Sequence, residues 1–166
     1  MSTINYIVGD ATKPQRSIVG VDFIVHCCND RGAWGAGFVM ALSNKWPHVE
    51  EHYRKWFADP GMKMKLGDIQ FVEVEKPCLV VCNMIGQHDT RPDAEGFSPV
   101  RYDAFFRGLT RLQRYTSQIK TPSAVHMPRM GAGLAGGDWN IIEAIVKSTL
   151  VEKGIPVTVY DFPVGS

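Results

Sequence analysis

No apolar run in the 166 residues approaches the ~20 that a membrane-spanning helix requires, and no leader-like segment opens the chain. A membrane partner is therefore not expected, and the expected location is the cytoplasm. Cysteine is sparse, at four residues. Cys27 and Cys28 are adjacent, Cys78 and Cys82 are four apart, and no CxxC pair or neighbouring histidine gives zinc-ligand spacing. Free thiols in apolar, reducing surroundings are the expected state, with neither disulfide nor metal. Excess charge is lacking too: with a net charge of +1, no broad basic face advertises nucleic acid. Arg101, Arg107, Arg111 and Arg114 recur at a spacing that fits the wet side of a helix. No low-complexity stretch or linker divides residues 1–166, so one domain with a real core is expected. A Walker loop, GxxxxGK[ST], is absent as well.

What is present alternates. Runs rich in Val, Ile and aromatics predict strands near 4–8, 22–28, 69–74, 78–84, 123–127 and 157–161. Between them the period changes to that of a helix. Tyr102, Phe105, Phe106, Leu109, Leu112 and Tyr115 form one stripe; Trp139, Ile142, Ile145, Val146 and Leu150 form another, with Asp138 placed as its N-cap. Shorter helices fit 37–45 and 48–57, with Pro47 in the first turn of the second. Residues 86–99 carry no period and make the one long loop. Strands alternating with helices predict an α/β fold: a mixed, six-stranded sheet in a three-layer sandwich, with 69–74 and 78–84 close enough to pair as a hairpin.

Two strand-to-helix junctions share one pattern. NDRGAWGAGFVMAL (29–42) and HMPRMGAGLAGGDW (126–139) each hold Gly-Ala-Gly behind an apolar residue, and each runs into a helix. Glycine lets a main chain approach a ligand closely, and a helix N-terminus presents free N–H groups to an anion. Ligands of open α/β sheets bind outside the carboxyl ends of strands, so paired loops of this kind point to a diphosphate. Gly131-Ala-Gly133-Leu-Ala-Gly136 also matches GxGxxG, with Asp161 as a ribose-binding acid. That reading fails because Pro128 and Arg129 intervene after the strand and five residues follow Asp161, too few for a second dinucleotide-binding half.

The segments YIVGDAT (6–12), IVHCCN (24–29), GAWGAGF (32–38), HMPRMGAGL (126–134) and VTVYDF (157–162), in that order, resemble the macrodomain family. The resemblance is strongest to the branch that contains terminal ADP-ribose protein glycohydrolase and yeast ADP-ribose 1″-phosphate phosphatase. It implies ADP-ribose as ligand. It places Asp10 on the adenine amino group, Tyr160 and Phe162 on either side of the base, and Asn29 at the distal ribose, with Ala11 and Trp34 as further ligand-binding positions. Gly35, Ala36, Gly37 and Phe38 of the first loop would hold the diphosphate, with Met130, Gly131, Ala132, Gly133, Leu134 and Ala135 of the second. Each has a plainer reading. Asp10 fits a turn cap, Asn29 an Asx turn, Trp34 a packed aromatic and Phe162 a core residue. Arg129 fits either a phosphate clamp or, preferably, a brace on loop carbonyls.

The departures from that branch bear on mechanism. Its glycohydrolase uses a lysine that forms a covalent adduct with the opened sugar, and an aspartate after the leucine of the second loop. Here CNMIGQ (82–87) holds no lysine, and Ala135 follows Leu134. The expected activity is therefore hydrolysis by water attack at the distal ribose, through an oxocarbenium-like transition state, without a covalent lysyl intermediate. Asn29, Asp138 and His26 are the candidate catalytic residues, with Asp30 and His88 as further candidate bases. Substrates whose leaving group needs no proton are favoured: Glu or Asp esters, or ADP-ribose 1″-phosphate. The alternatives are a non-catalytic ADP-ribose reader and a regulator that binds another diphosphate. The expected partners are ADP-ribose and ADP-ribosylated proteins, then ADP-ribosylated nucleic acid. No cofactor is expected, and a monomer is.

Overall fold

Runs of β-branched and aromatic side chains suit a pleated, buried surface, and all six expected strands form. The structure, a computed structural model, describes residues 3–17 and 19–163. Its elements are β1 (Asn5–Val8), β2 (Val21–Asn29), α1 (Phe38–Lys45), α2 (Pro47–Ala58), β3 (Ile69–Glu75), β4 (Leu79–Gln87), α3 (Tyr102–Gln118), β5 (Ser123–Pro128), α4 (Trp139–Thr149) and β6 (Val157–Asp161). The sheet order is β1-β6-β5-β2-β4-β3. All neighbours are parallel except the β3–β4 hairpin, because parallel neighbours need a crossover and only β3 and β4 are joined by a few residues. Among the described residues no helix is long and apolar enough to cross a membrane.

β2 lies inside the sheet and feeds both faces. Phe23 and Val25 pack with Phe105, Leu109, Leu112, Ile142 and Val146 of α3 and α4. Ile24 and Cys28 pack on the other face with Leu42, Val49, Tyr53 and Trp56 of α1 and α2. Two cores, one on each face, make the three-layer α/β/α sandwich. The four cysteines are free thiols; Cys28 and Cys82 are buried, Cys27 and Cys78 half-buried.

α3 departs in detail from its expected stripe. Its buried side is Ala104, Phe105, Gly108, Leu109, Leu112 and Thr116, while Phe106 is half exposed. Two adjacent phenylalanines cannot both face the sheet at 100° per residue. Nor are the arginines simply solvated. Arg107 donates to the Leu66 carbonyl at 3.1 Å, and Arg111 to that of Gly67, so both hold the turn before β3.

Two histidines are buried in this frame. His26 donates from Nε2 to Asn83 Oδ1, because the Asn83 amide already donates to Gln70 Oε1. Burial pushes the His26 pKa down to about 4, against a smaller upward effect of that hydrogen bond. His126 is likewise held below its usual value by burial, partly offset by Asp22. Both are neutral when folded and take up a proton near pH 6.5 when unfolded, so acid favours the unfolded chain. Stability should be complete above about pH 6.5 and fall as the pH drops, His26 alone accounting for about 3 kcal/mol between pH 7 and 4. Urea unfolding midpoints across that range test this. A flat profile, or a His26→Gln protein with an unchanged slope, would contradict it.

Candidate functional site

β2 and β5 are adjacent and parallel, but the chain leaves them toward opposite faces of the sheet. After β2 it runs into α1, and after β5 into α4. A crevice must open between loops that diverge in this way, which is the topological switch point of an open α/β sheet. The two Gly-Ala-Gly loops form its walls.

Main-chain donors without protein acceptors occur in both walls of this crevice among the described residues. In the first loop no protein acceptor meets the N–H groups of Gly35, Ala36, Gly37 or Phe38 among the described residues. Gly37, at φ +80°, is the N-cap of α1, and no side chain caps that helix. In the second loop Met130, Ala132, Gly136 and Gly137 donate within the loop itself. The N–H groups of Gly131, Gly133, Leu134 and Ala135 have no protein acceptor among the described residues. α4 differs from α1: Asp138 accepts from the Asn140 N–H at 2.9 Å and caps it. The second wall is thus the glycine loop rather than a helix N-terminus. Successive N–H groups left free in such loops can form a concavity for an anion.

Three contiguous compartments run along the crevice. The outer one, about 410 Å³, is lined by Asp10, Phe38, Arg129, Tyr160, Asp161 and Phe162, among others. The middle one, about 270 Å³, lies between Ala36–Val39 and Pro128–Ala135. The inner one, about 320 Å³, is bounded by Cys27–Asn29, Ala33–Ala36, Gln87, Thr90, Leu134 and Ala135. Gly37, Phe38, Pro128 and Arg129 join the outer and middle compartments; Cys27, Ala36, Gln87 and Leu134 are among those joining the middle and inner. Each alone is near or below the low end of the roughly 300–1,000 Å³ of small-molecule sites. Together they suit an elongated ligand.

Side chains brace these walls more than they fill them. Asn29 Oδ1 accepts from the N–H groups of Arg31 and Ala33 and from the Tyr53 hydroxyl, and its amide donates to the Ala33 carbonyl. Arg54 holds the same loop through the carbonyls of Gly32 and Trp34. The second loop is held by the Ser98 hydroxyl on the Ala135 carbonyl and by the Asp138 N–H on the Tyr102 hydroxyl. A register shift between β2 and β4 sets Asn29 opposite Gln87 instead of Gly86, and such irregularities commonly re-aim side chains at sites. The Gln87 amide donates to the Asp89 carbonyl at 3.0 Å.

The structure separates the expected site residues into groups. Asp10 serves its turn with one oxygen, which accepts from the Thr12 N–H and hydroxyl, and it also lines the outer compartment. Tyr160 and Phe162 line that compartment, Phe162 being exposed rather than a core residue. Trp34 is buried, its indole N–H donating to Ser43 Oγ at 2.7 Å, and it borders the inner compartment. Gly35, Ala36, Gly37, Phe38, Met130, Gly131, Gly133, Leu134 and Ala135 all line the crevice. Ala11 and Ala132 line no compartment: Ala11 is buried behind Asp10, and Ala132 sits in a loop whose contacts with the crevice come from its neighbours.

Four of the candidate acids and bases, Asp138, His26, Asp30 and His88, are engaged elsewhere. Asp138 is committed to capping α4 and lies outside the lining. His26 borders the middle compartment but is 1% exposed, and its Nε2 is tied to Asn83. Asp30 and His88 pair with each other at 2.7 Å beside the inner compartment without lining it. Arg129 is a brace, but on a carboxylate rather than on carbonyls. It forms two hydrogen bonds to Asp161, at 2.6 and 3.1 Å, and its guanidinium lies over Tyr6 and Trp139. Sequence reasoning missed Cys27, Gln87, Thr90 and Tyr53. Gln87 was accessible from the rule about strand carboxyl ends, since it closes β4; Tyr53 gave no signal beyond a helical apolar position.

No family model matches the chain. It is 45% identical to a macrodomain protein from Streptomyces coelicolor, with a TM-score of 0.78, over 95% of this chain and 98% of that one. It is 50% identical to a protein of unknown function from Bacteroides thetaiotaomicron, with a TM-score of 0.90, over 96% and 98%. The chain therefore belongs to the macrodomain family. It is also 28% identical over 169 residues to mouse chromodomain-helicase-DNA-binding protein 1-like, covering 98% of this chain and 18% of that protein. The corresponding zebrafish (Danio rerio) protein is covered over 16% of its length, so the chain spans under a fifth of these two relatives. An ADP-ribose 1″-phosphate phosphatase of Scheffersomyces stipitis is 26% identical, over 93% of this chain and 99% of that one.

The glycines of the second loop make unequal demands. Gly131 has φ +77°, and a Cβ there would lie 2.8 Å from Phe105 Cζ, whereas a Cβ at Gly133 meets nothing within 4 Å. Gly131→Ala should destabilise the fold by roughly 1–3 kcal/mol, and Gly133→Ala by no more than about 0.5 kcal/mol. Equal urea midpoints for the two variants would contradict this account of the loop.

Proposed function

We propose that this macrodomain binds ADP-ribose along the crevice and hydrolyses ADP-ribosyl linkages, with esters of Glu and Asp side chains preferred. The reading is carried by the three joined compartments between two loops of unpartnered N–H groups. In it the adenine occupies the outer compartment, between Asp10 and the Tyr160 and Phe162 rings. The diphosphate takes the middle compartment, and the distal ribose the inner one. The named ADP-ribose 1″-phosphate phosphatase relative supports the same ligand class.

Main-chain donors suit a diphosphate because they are fixed before the ligand arrives and need no reorganisation as charge develops. In the inner compartment the polar side chains are amides and a hydroxyl, from Asn29, Gln87 and Thr90, together with thiols. Burial pushes the Cys27 thiol up to about 12 and the Cys28 thiol well above its ordinary value, so neither is a nucleophile at neutral pH. No lysine among the described residues lines the crevice. The proposed step is attack on the anomeric carbon by a water held between a ligand phosphate oxygen and Asn29 or the loop backbone. The carbon–oxygen bond to the leaving group breaks, and the attacking water loses its proton to solvent. A carboxylate departs unprotonated, which suits a site without a strong acid; an arginine-linked substrate requires protonation and should resist.

The same neutral lining favours a second reading, a reader that binds ADP-ribose without turnover. Incubation with glutamate-linked, arginine-linked and nucleic-acid-linked ADP-ribose separates the two. Release from the ester, a resistant arginine linkage and no adduct trapped by borohydride are expected. Binding without release from any substrate would establish the reader, and a trapped lysyl conjugate would overturn the water mechanism. Gly133→Glu should fold normally and lose ADP-ribose binding by calorimetry. Undiminished affinity in that variant would refute the placement of the diphosphate.

A further inference from the structure

Behind the outer compartment lies a buried polar chain that the proposed hydrolysis does not use. Asp22 is fully buried at the start of β2, His126 is 3% exposed in β5 and Tyr160 is 4% exposed in β6. His126 Nε2 is 2.7 Å from Asp22 Oδ1, His126 Nδ1 is 2.8 Å from the Tyr160 hydroxyl, and the Gln15 N–H donates to that hydroxyl at 2.9 Å.

The protons in this chain can be assigned from chemistry alone. An ionised Asp22 accepts only, so Nε2 carries the imidazole proton and donates it to Asp22. A neutral ring then leaves Nδ1 as an acceptor, and the Tyr160 O–H must point at it. The Tyr160 oxygen keeps a lone pair for the Gln15 N–H. Donation therefore runs one way, from Gln15 through Tyr160 and His126 to Asp22, with each of these contacts a matched donor and acceptor. Asp22 also accepts from Ser17 N–H and Oγ and from Arg16 Nε, at 3.0–3.2 Å.

These contacts reach two parts of the outer compartment's lining. The Tyr160 ring lines it directly. The segment that carries Asp10 is anchored at Gln15 by the Tyr160 hydroxyl and at Arg16 and Ser17 by Asp22. One imidazole thus fixes the tyrosine ring and the segment that carries Asp10 relative to each other. We propose that His126 is a positioning residue that sets the gap between Tyr160 and Asp10 to the thickness and donor pattern of a purine. This deepens the reading above and rests on its placing adenine in the outer compartment.

Calorimetry with ADP-ribose and with ribose 5-diphosphate, which lacks the adenosine and keeps the diphosphate and distal ribose, tests it. Tyr160→Phe keeps the ring and removes the hydroxyl. His126→Asn sets an acceptor where Nδ1 stands, and His126→Gln sets a donor where Nε2 stands. Tyr160→Phe and His126→Gln should each weaken ADP-ribose roughly tenfold, the scale of one buried hydrogen bond, and leave ribose 5-diphosphate unchanged. His126→Asn, which restores the acceptor for Tyr160, should retain most of the ADP-ribose affinity. Equal losses with both ligands, or no loss in Tyr160→Phe, would overturn the proposal. Tyr160→Phe is the mildest change and keeps the test decisive if the His126 variants do not fold. A wild-type protein that bound the two ligands equally would overturn the adenine placement as well; a discriminating wild type with unaffected variants would overturn the relay alone.

Discussion

Main-chain N–H groups at a protein interior or cleft need an acceptor, and much of this structure follows from where that need is left unmet. Helix α1 begins without a side-chain cap, and the loop after β5 keeps several donors outside its own turns. Such a site requires backbone held still with nothing filling the space in front of it. The sheet order supplies the space by sending the chain from β2 and β5 to opposite faces. Asn29, Tyr53, Arg54 and Ser98 supply the stillness, each hydrogen-bonding into a loop.

The fold was legible because its signals are local. Alternation, helical period, Pro47 at a helix start and Asp138 at a helix cap each reflect a few neighbouring residues, and each stands where expected. The glycine loops were legible for the same reason: bare backbone announces itself. What could not be read were relations across the sheet. Arg129 looks the same in sequence whether it meets a carbonyl or Asp161, and nothing near residue 53 indicates that its hydroxyl will reach Asn29. Phe106 failed differently. Counting apolar residues overestimates a stripe when two are adjacent, and only the packed helix shows which one the core accepts.

The contrast between the two buried histidines shows how little the residue type says by itself. His26 ends in an amide pair, with Asn83 and Gln70 beyond it in the direction of the sheet edge. His126 stands between a carboxylate and a phenol, and its other contacts lead toward the crevice. Both are neutral and buried, yet only one is connected to residues that line the site's outer end.

A crevice walled by peptide N–H groups also answers differently to the usual chemical dissection. Truncating Leu134 or Ala36 to a smaller side chain leaves its amide hydrogen in place, so a side-chain scan passes over the donors themselves. Replacing a single peptide bond by an ester, through semisynthesis, deletes one donor while keeping shape and side chain. In this chain the informative alphabet for the middle compartment is therefore the backbone atom rather than the amino acid.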